Sequence, residues 1–209
     1  MVGLRERKKE RTRQAIADTA IGMFLSRGFD QVSTADVAAA VEVSKPTLFR
    51  YFPTKEDLVV HRFADHIGEH ARVVRARPAG ERPLAAVQRH FREGLERRDP
   101  VTGLCDDPQV LAFHRLVFET PALVARLAEI GARDVEELAA AFAEALPGAQ
   151  GARPRLIAVQ VVAVHQSLAR ANWGRLAGGR SADDVYSEAL AEADDAFALL
   201  GDGATPAGF

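Results

Sequence analysis

The segment Ser44 to Lys55, SKPTLFRYFPTK, interleaves cationic and hydroxyl side chains with apolar ones at helical spacing. If Leu48 and Phe52, four residues apart, face inward, a step of 100° per residue puts Pro46 and Arg50 on the opposite face, with Thr47 beside them. An outward arginine carries a planar fork of donors that fits guanine O6 and N7, a pairing worth roughly 1–3 kcal/mol of base discrimination. Ser33, Lys45, Thr47, Tyr51 and Lys55 are donors spaced to meet phosphates at the rim of such a surface, where they would position the protein without reading sequence. Thr34, next to Ser33, suits a base or a phosphate. The chemistry these residue types support is recognition of double-stranded DNA.

Elements that would hold these side chains are legible on either side. A first helix is predicted from about Arg7 to Arg27, with Ile16, Ala20, Met23 and Phe24 on one face and Gly28 where a left-handed C-terminal cap belongs. Ser33-Thr-Ala-Asp36 forms a capping box that opens a short second helix ending near Val41. Glu42, Val43 and Ser44 make a tight turn, and Pro46 falls in the first turn of a third helix, where its missing N–H is not needed. Two short helices across a three-residue turn have the geometry of a helix-turn-helix, whose second helix enters the major groove, and geometry alone equally allows an ordinary small helical bundle. The box Thr54-Lys-Glu-Asp57 starts a fourth helix expected to run past His70 toward Arg75. Further helices are expected at about 82–98, 107–119, 121–146, 154–177 and 182–200, which makes an all-α chain of about nine helices.

The segment Gly28 to Leu58, GFDQVSTADVAAAVEVSKPTLFRYFPTKEDL, closely resembles the DNA-binding region of the TetR/AcrR family of bacterial transcriptional regulators. Gly28-Phe29, Ser33 to Ala38, Val43-Ser44, Leu48, Tyr51-Phe52 and Lys55 to Leu58 follow that pattern in order and without gaps. The resemblance implies that Ser33 and Thr34 meet DNA at the start of the second helix. It also implies that Lys45, Pro46, Thr47, Phe49, Arg50 and Tyr51 form the recognition surface, and that Lys55 binds a phosphate. Two positions depart from the pattern: Glu42 replaces a glycine in the turn, and Phe49 replaces a tyrosine whose hydroxyl would donate to a phosphate. Glu42 must then accept a backbone conformation that glycine adopts more easily.

Charge distribution agrees with an anionic partner at the N-terminal end. The 209 residues carry 27 Lys and Arg against 29 Asp and Glu, a net charge of -2. Residues 1–62 hold 11 basic and 8 acidic side chains, the remainder 16 and 21. The first 13 residues alone hold six basic against two acidic, a basic arm able to follow the DNA backbone or enter a minor groove. A hydrophobic content of 47% excludes wholesale disorder. A single cysteine, Cys105, rules out an intrachain disulfide and fits a cytoplasmic location; no apolar leader or membrane-spanning run is seen.

The resemblance further implies a division into a helix-turn-helix DNA-binding domain at 1–54, a connecting fourth helix at 55–80, and a ligand-binding and dimerisation domain at 81–200. Residues 201–209 lack a core pattern and are expected to form a disordered tail. In this family the last two helices form an intersubunit bundle, and Ala189, Ala193, Ala196 and Leu200 offer a face of mostly small residues for it. The implied protein is a homodimer on a near-palindromic operator, released by a small hydrophobic effector, with the fourth helix as lever. Phe91, Leu95, Phe113, Phe118, Val161, Leu168 and Trp173 are candidate pocket residues because they fall on faces that should point into the C-terminal bundle, with His114, His165, Gln166 and Asn172 as the polar groups that would orient a ligand. His66 and His70, with Asp65 and Glu69 adjacent, allow a metal site to be imagined, but a charged helix face explains them as well, and neither metal nor cofactor is expected. No phosphate-binding loop or nucleophile elbow marks an enzyme. The alternative is a helical metabolite-binding protein or enzyme that no longer reads DNA.

Overall fold

The computed structural model describes residues 4–64, 66–146, 148 and 151–204, and among them every regular element is helical. Ten α-helices follow one another: α1 (Leu4–Arg27), α2 (Thr34–Ala40), α3 (Lys45–Tyr51), α4 (Asp57–Ala64), α5 (Glu69–Ala76), α6 (Pro83–Glu96), α7 (Pro108–Glu119), α8 (Pro121–Ala145), α9 (Arg153–Ala177) and α10 (Ala182–Ala204). A 3-10 turn at Pro100–Thr102 lies between α6 and α7.

Local chemistry starts and stops the first four helices. Gly28, at φ +88°, closes α1 by donating to the Phe24 carbonyl at 2.9 Å. Ser33 accepts from the Asp36 amide while the Asp36 carboxylate accepts from the Ser33 amide at 2.8 Å, a closed capping box for α2. Ser44 caps α3, and Thr54 and Asp57 repeat the box before α4. Between α2 and α3 Glu42 sits at φ +54°, the left-handed conformation expected of the family's glycine, which costs a side-chain-bearing residue roughly 1–2 kcal/mol.

The fourth helix is not continuous. α4 ends at Ala64 and α5 begins at Glu69, so ten helices replace the expected nine. The cause is Gly68: at φ +73° it has left the helical conformation, and its N–H donates to the Asp134 carboxylate at 2.9 Å instead of to a carbonyl of the preceding turn. α10 reaches Ala204, four residues into the stretch expected as tail, and residues 205–209 lie outside the described residues.

By compactness the chain divides into two units, Met1–Asp65 with Ala112–Ala128, and His66–Leu111 with Glu129–Phe209. The first is built around fully buried Ala20, Phe24, Val37, Leu48, Phe52 and Leu58, together with Val117 and Leu123 from the later segment. Val117 and Leu123 therefore belong to the same unit as the helix-turn-helix, although both follow residue 81. The second is a bundle around Phe91, Leu95, Leu104, Leu138, Phe142, Val161 and Phe197. In it Gly103, at φ +72°, lies so close to α9 that an added Cβ would come 1.9 Å from the Ala169 carbonyl oxygen, so the backbone approach requires glycine.

The face of α10 expected to meet a second subunit is used inside the protomer. Ala189, Ala193 and Leu200 are buried in the bundle core beside Phe197, where α10 packs on α6 and α9. Small residues allow close helix approach, but the helices they admit here are the chain's own.

Candidate nucleic-acid interface

α3 separates its two faces as the spacing requires. Leu48 and Phe52 are buried, Lys45, Pro46, Phe49 and Arg50 are exposed, and Thr47 and Tyr51 are half-buried. Lys45 and Arg50 make no ion pair among the described residues, and the Arg50 guanidinium rests 5.9 Å from the Tyr51 ring centroid. Two exposed cations thus stand on α3 outside any ion pair among the described residues, Arg50 opposite the buried face and Lys45 at the start of the helix, where its charge is felt by the Asp36 carboxylate.

The surrounding donors are more committed than their spacing suggested. The Thr47 and Ser44 hydroxyls share a hydrogen bond at 2.9 Å, and the Ser33 hydroxyl donates to Asp36 at 2.7 Å. Hydrogen bonds from the Ser33 side chain and backbone hold the Asp36 carboxyl below its ordinary range, so a carboxylate already faces the N-terminus of α2. Ser33 is exposed and Thr34 half-buried at this end. The Lys55 ammonium donates to the Phe29 carbonyl at 2.6 Å and lies 4.2 Å from the Phe29 ring centroid, bracing the turn after α1. The basic arm is helical from Leu4, with Lys8, Lys9 and Arg11 exposed. A helix about 10 Å across does not fit a minor groove about 6 Å wide, so the described part of the arm cannot enter one as a helix.

The effector candidates fall into two clusters, one in each unit. In the first, Phe113, His114 and Phe118 gather with Phe63, which sequence reasoning had not singled out: Phe63 stacks on Phe113 at 5.7 Å, and His114 lies 5.6 Å from Phe118. His114 is 4% exposed, its Nδ1 has no hydrogen-bond partner, and burial pushes its pKa down to about 4. In the second unit Phe91 packs edge-on against His165 at 4.8 Å, and His165 against His70 at 4.9 Å. Burial holds the His165 imidazole well below its usual pKa, and neighbouring His70 and His90 add to the effect. Leu95 and Val161 are fully buried core; Leu168 and Trp173 are half-buried.

His66 and His70 do not converge. His66 Nδ1 meets Glu69 at 2.6 Å and His90 Nε2 meets the other oxygen of the same carboxylate at 3.0 Å, while His70 Nδ1 meets Asp134 at 2.7 Å. The two histidine hydrogen bonds hold the Glu69 carboxyl far below its ordinary range. Asp134, 64 residues beyond His70, leaves no mark in the local sequence. Among the described residues no group of three or more His, Cys, Asp or Glu is arranged to hold a metal ion; Asp65 lies outside them.

A capped two-helix turn with an outward cationic face, followed by a helical bundle, defines a helix-turn-helix DNA-binding protein. The family model described as "Bacterial regulatory proteins, tetR family" matches residues 16–61. The chain is 33% identical over 175 residues to the HTH-type transcriptional regulator TcmR of Streptomyces glaucescens, covering 80% of this chain and 76% of that one. It is 32% identical over 106 residues to the HTH-type transcriptional repressor LfrR of Mycolicibacterium smegmatis, 50% of this chain and 54% of that one. Among solved structures, NalD of Pseudomonas aeruginosa shares the fold with a TM-score of 0.56 at 19% identity, over 90% of this chain and 96% of that one. The chain belongs to the tetR family of bacterial regulatory proteins and is a DNA-binding transcriptional regulator.

Proposed function

We propose that the protein is a ligand-responsive repressor that binds a near-palindromic operator in double-stranded DNA as a homodimer and is released by a small hydrophobic effector in the cytoplasm. The observation that carries the reading is Arg50, exposed and without an ion pair among the described residues on the face of α3 opposite buried Leu48 and Phe52, with exposed Lys45 at the first position of the same helix. Arg50 reads a base edge, Ser33, Thr34, Lys45, Thr47, Tyr51 and Lys55 supply backbone contacts, and Pro46 and Phe49 complete the surface. Repression is the mode printed in the names of LfrR and of NalD, the secondary repressor of a multidrug efflux pump.

One recognition helix contacts few base pairs, so a second copy is required to span half-sites about one turn, ~34–36 Å, apart. Leu156, 56% exposed, and Val159 on α9, with Leu199, 76% exposed, on α10, are the apolar side chains left for that contact. An effector that prefers a conformer with wrongly spaced recognition helices lowers DNA affinity by its differential binding energy.

Selection of bound sequences from a random duplex library, followed by salt titration of the winner, tests the reading. An enriched palindrome whose affinity falls steeply with salt is expected. Enrichment of nothing, at low salt and without effector, overturns it in favour of a metabolite-binding protein that no longer reads DNA. Replacing Lys55 with Met should flatten the salt slope by about one unit at every sequence; an unchanged slope removes Lys55 from the phosphate contacts.

A further inference from the structure

Besides Pro46, the exposed part of α3 carries one large side chain that neither a phosphate nor the hydrogen-bonding edge of a base can satisfy. Phe49 is 43% exposed, beside Arg50 and one turn from Lys45 and Pro46, and its ring stacks on no other ring among the described residues. Elsewhere in the same unit phenyl rings are paired or buried, as Phe24 and Phe29 are at 5.0 Å and Phe52 is in the core. A phenyl group left in water has apolar surface to gain by covering. Its cationic neighbours, neither of them held in an ion pair among the described residues, favour a polyanion as the surface that covers it. Within the major groove the apolar group that base edges present is the C5-methyl of thymine.

We infer that Phe49 is a specificity-determining residue that selects thymine in each half-site through its C5-methyl, beside the base read by Arg50. The inference rests on the DNA-binding function proposed above. It also turns the missing tyrosine hydroxyl from a lost phosphate contact into a gained apolar one.

Deoxyuridine provides the test, because it removes only the methyl group and keeps every hydrogen-bonding atom of thymine. In the operator recovered by selection, each thymine is replaced in turn, symmetrically in both half-sites, and affinity is measured by fluorescence anisotropy. One symmetric pair of positions should lose about fourfold per half-site, as expected for one methyl-sized apolar group leaving contact. Phe49→Ala should bind the thymine operator more weakly by a similar factor and lose all sensitivity at that position, while Phe49→Tyr, which keeps the ring, should retain it. Phe49 is exposed, so circular dichroism should show both variants folded. A selected half-site without thymine, insensitivity at every position, or a sensitivity that persists in Phe49→Ala overturns the inference and leaves the regulator reading intact. Failure to select any duplex overturns both.

Discussion

The two compact units treat their arginines and lysines differently. In the second unit Arg75 pairs with Glu144 at 2.7 Å, Arg89 bridges Glu81 and Glu93, Arg92 meets Asp194, Arg98 meets Asp183, and Arg175 and Arg180 share Glu188. The first unit has ion pairs too, Arg62 with Asp18 and Arg126 with Asp57, but they involve α1, α4 and α8. On α3 neither Lys45 nor Arg50 is in an ion pair among the described residues. A cation already neutralised has little left to offer a phosphate, whereas a free one exchanges small counterions for the polyanion. The near-neutral net charge conceals this, because function depends on which charges are left over.

Breaking the scaffold under the free cations should have the largest effect. Leu48 is fully buried beneath the exposed face of α3, so Leu48→Ala should cost roughly 2–5 kcal/mol of unfolding free energy and abolish operator binding, measured by denaturant titration and anisotropy. Unchanged stability would mean that α3 is not anchored as described.

His114 sharpens the comparison through pH, because its pKa of about 4 is set by burial alone and not by a charged partner. The folded state holds its proton less tightly than the unfolded state, whose histidine titrates near 6.5. Stability should therefore fall as pH drops from about 6.5 to 4, by roughly 3 kcal/mol in all. Denaturant titration of the protein and of His114→Phe across this range should differ by that slope, and parallel curves would refute the assignment.

Arg50→Ala should leave stability unchanged, because no ion pair is broken, yet relax discrimination at one or two operator positions by ~1–3 kcal/mol. Equal weakening at all sequences would show that Arg50 meets phosphate instead. The smallest effect is expected in the second unit: Arg92 and Asp194 are both well exposed, and Arg92→Gln should cost less than about 1 kcal/mol with operator affinity unaltered. A larger loss would show that these pairs contribute materially to holding the bundle.

The helix-turn-helix was legible because its signals are short-range. The Ser33–Asp36 and Thr54–Asp57 boxes, the Gly28 cap and the Leu48–Phe52 spacing each span three or four residues, and the structure realises all of them. Glu42 in the glycine position of the turn announced its positive φ. The second unit offered less. The local cue to the break in the fourth helix, Gly68, was not decisive in the sequence because the acceptor that captures its N–H belongs to Asp134 on α8. The small-residue face of α10 was readable as a packing face, but the sequence does not say whether the partner is α6 of the same chain or a helix of another. Both are apolar surfaces of similar shape, and only the fold decides between them.

The sequence by itself determined most of the helices, the caps of α2, α3 and α4, and the placement of Pro46 and Arg50 opposite Leu48 and Phe52, since each follows from contacts between residues three or four apart on a helix of fixed pitch. Only the tertiary structure decided which cations remain outside ion pairs, that His70 meets Asp134 and His90 joins Glu69, and that Phe113, His114 and Phe118 gather with Phe63 in the unit that holds the helix-turn-helix. Those outcomes depend on side chains as much as 64 to 106 residues apart meeting at hydrogen-bonding distance, as His70 meets Asp134 and Gln88 meets Asp194. Proximity of that kind is set by how the helices pack, and no local spacing encodes it.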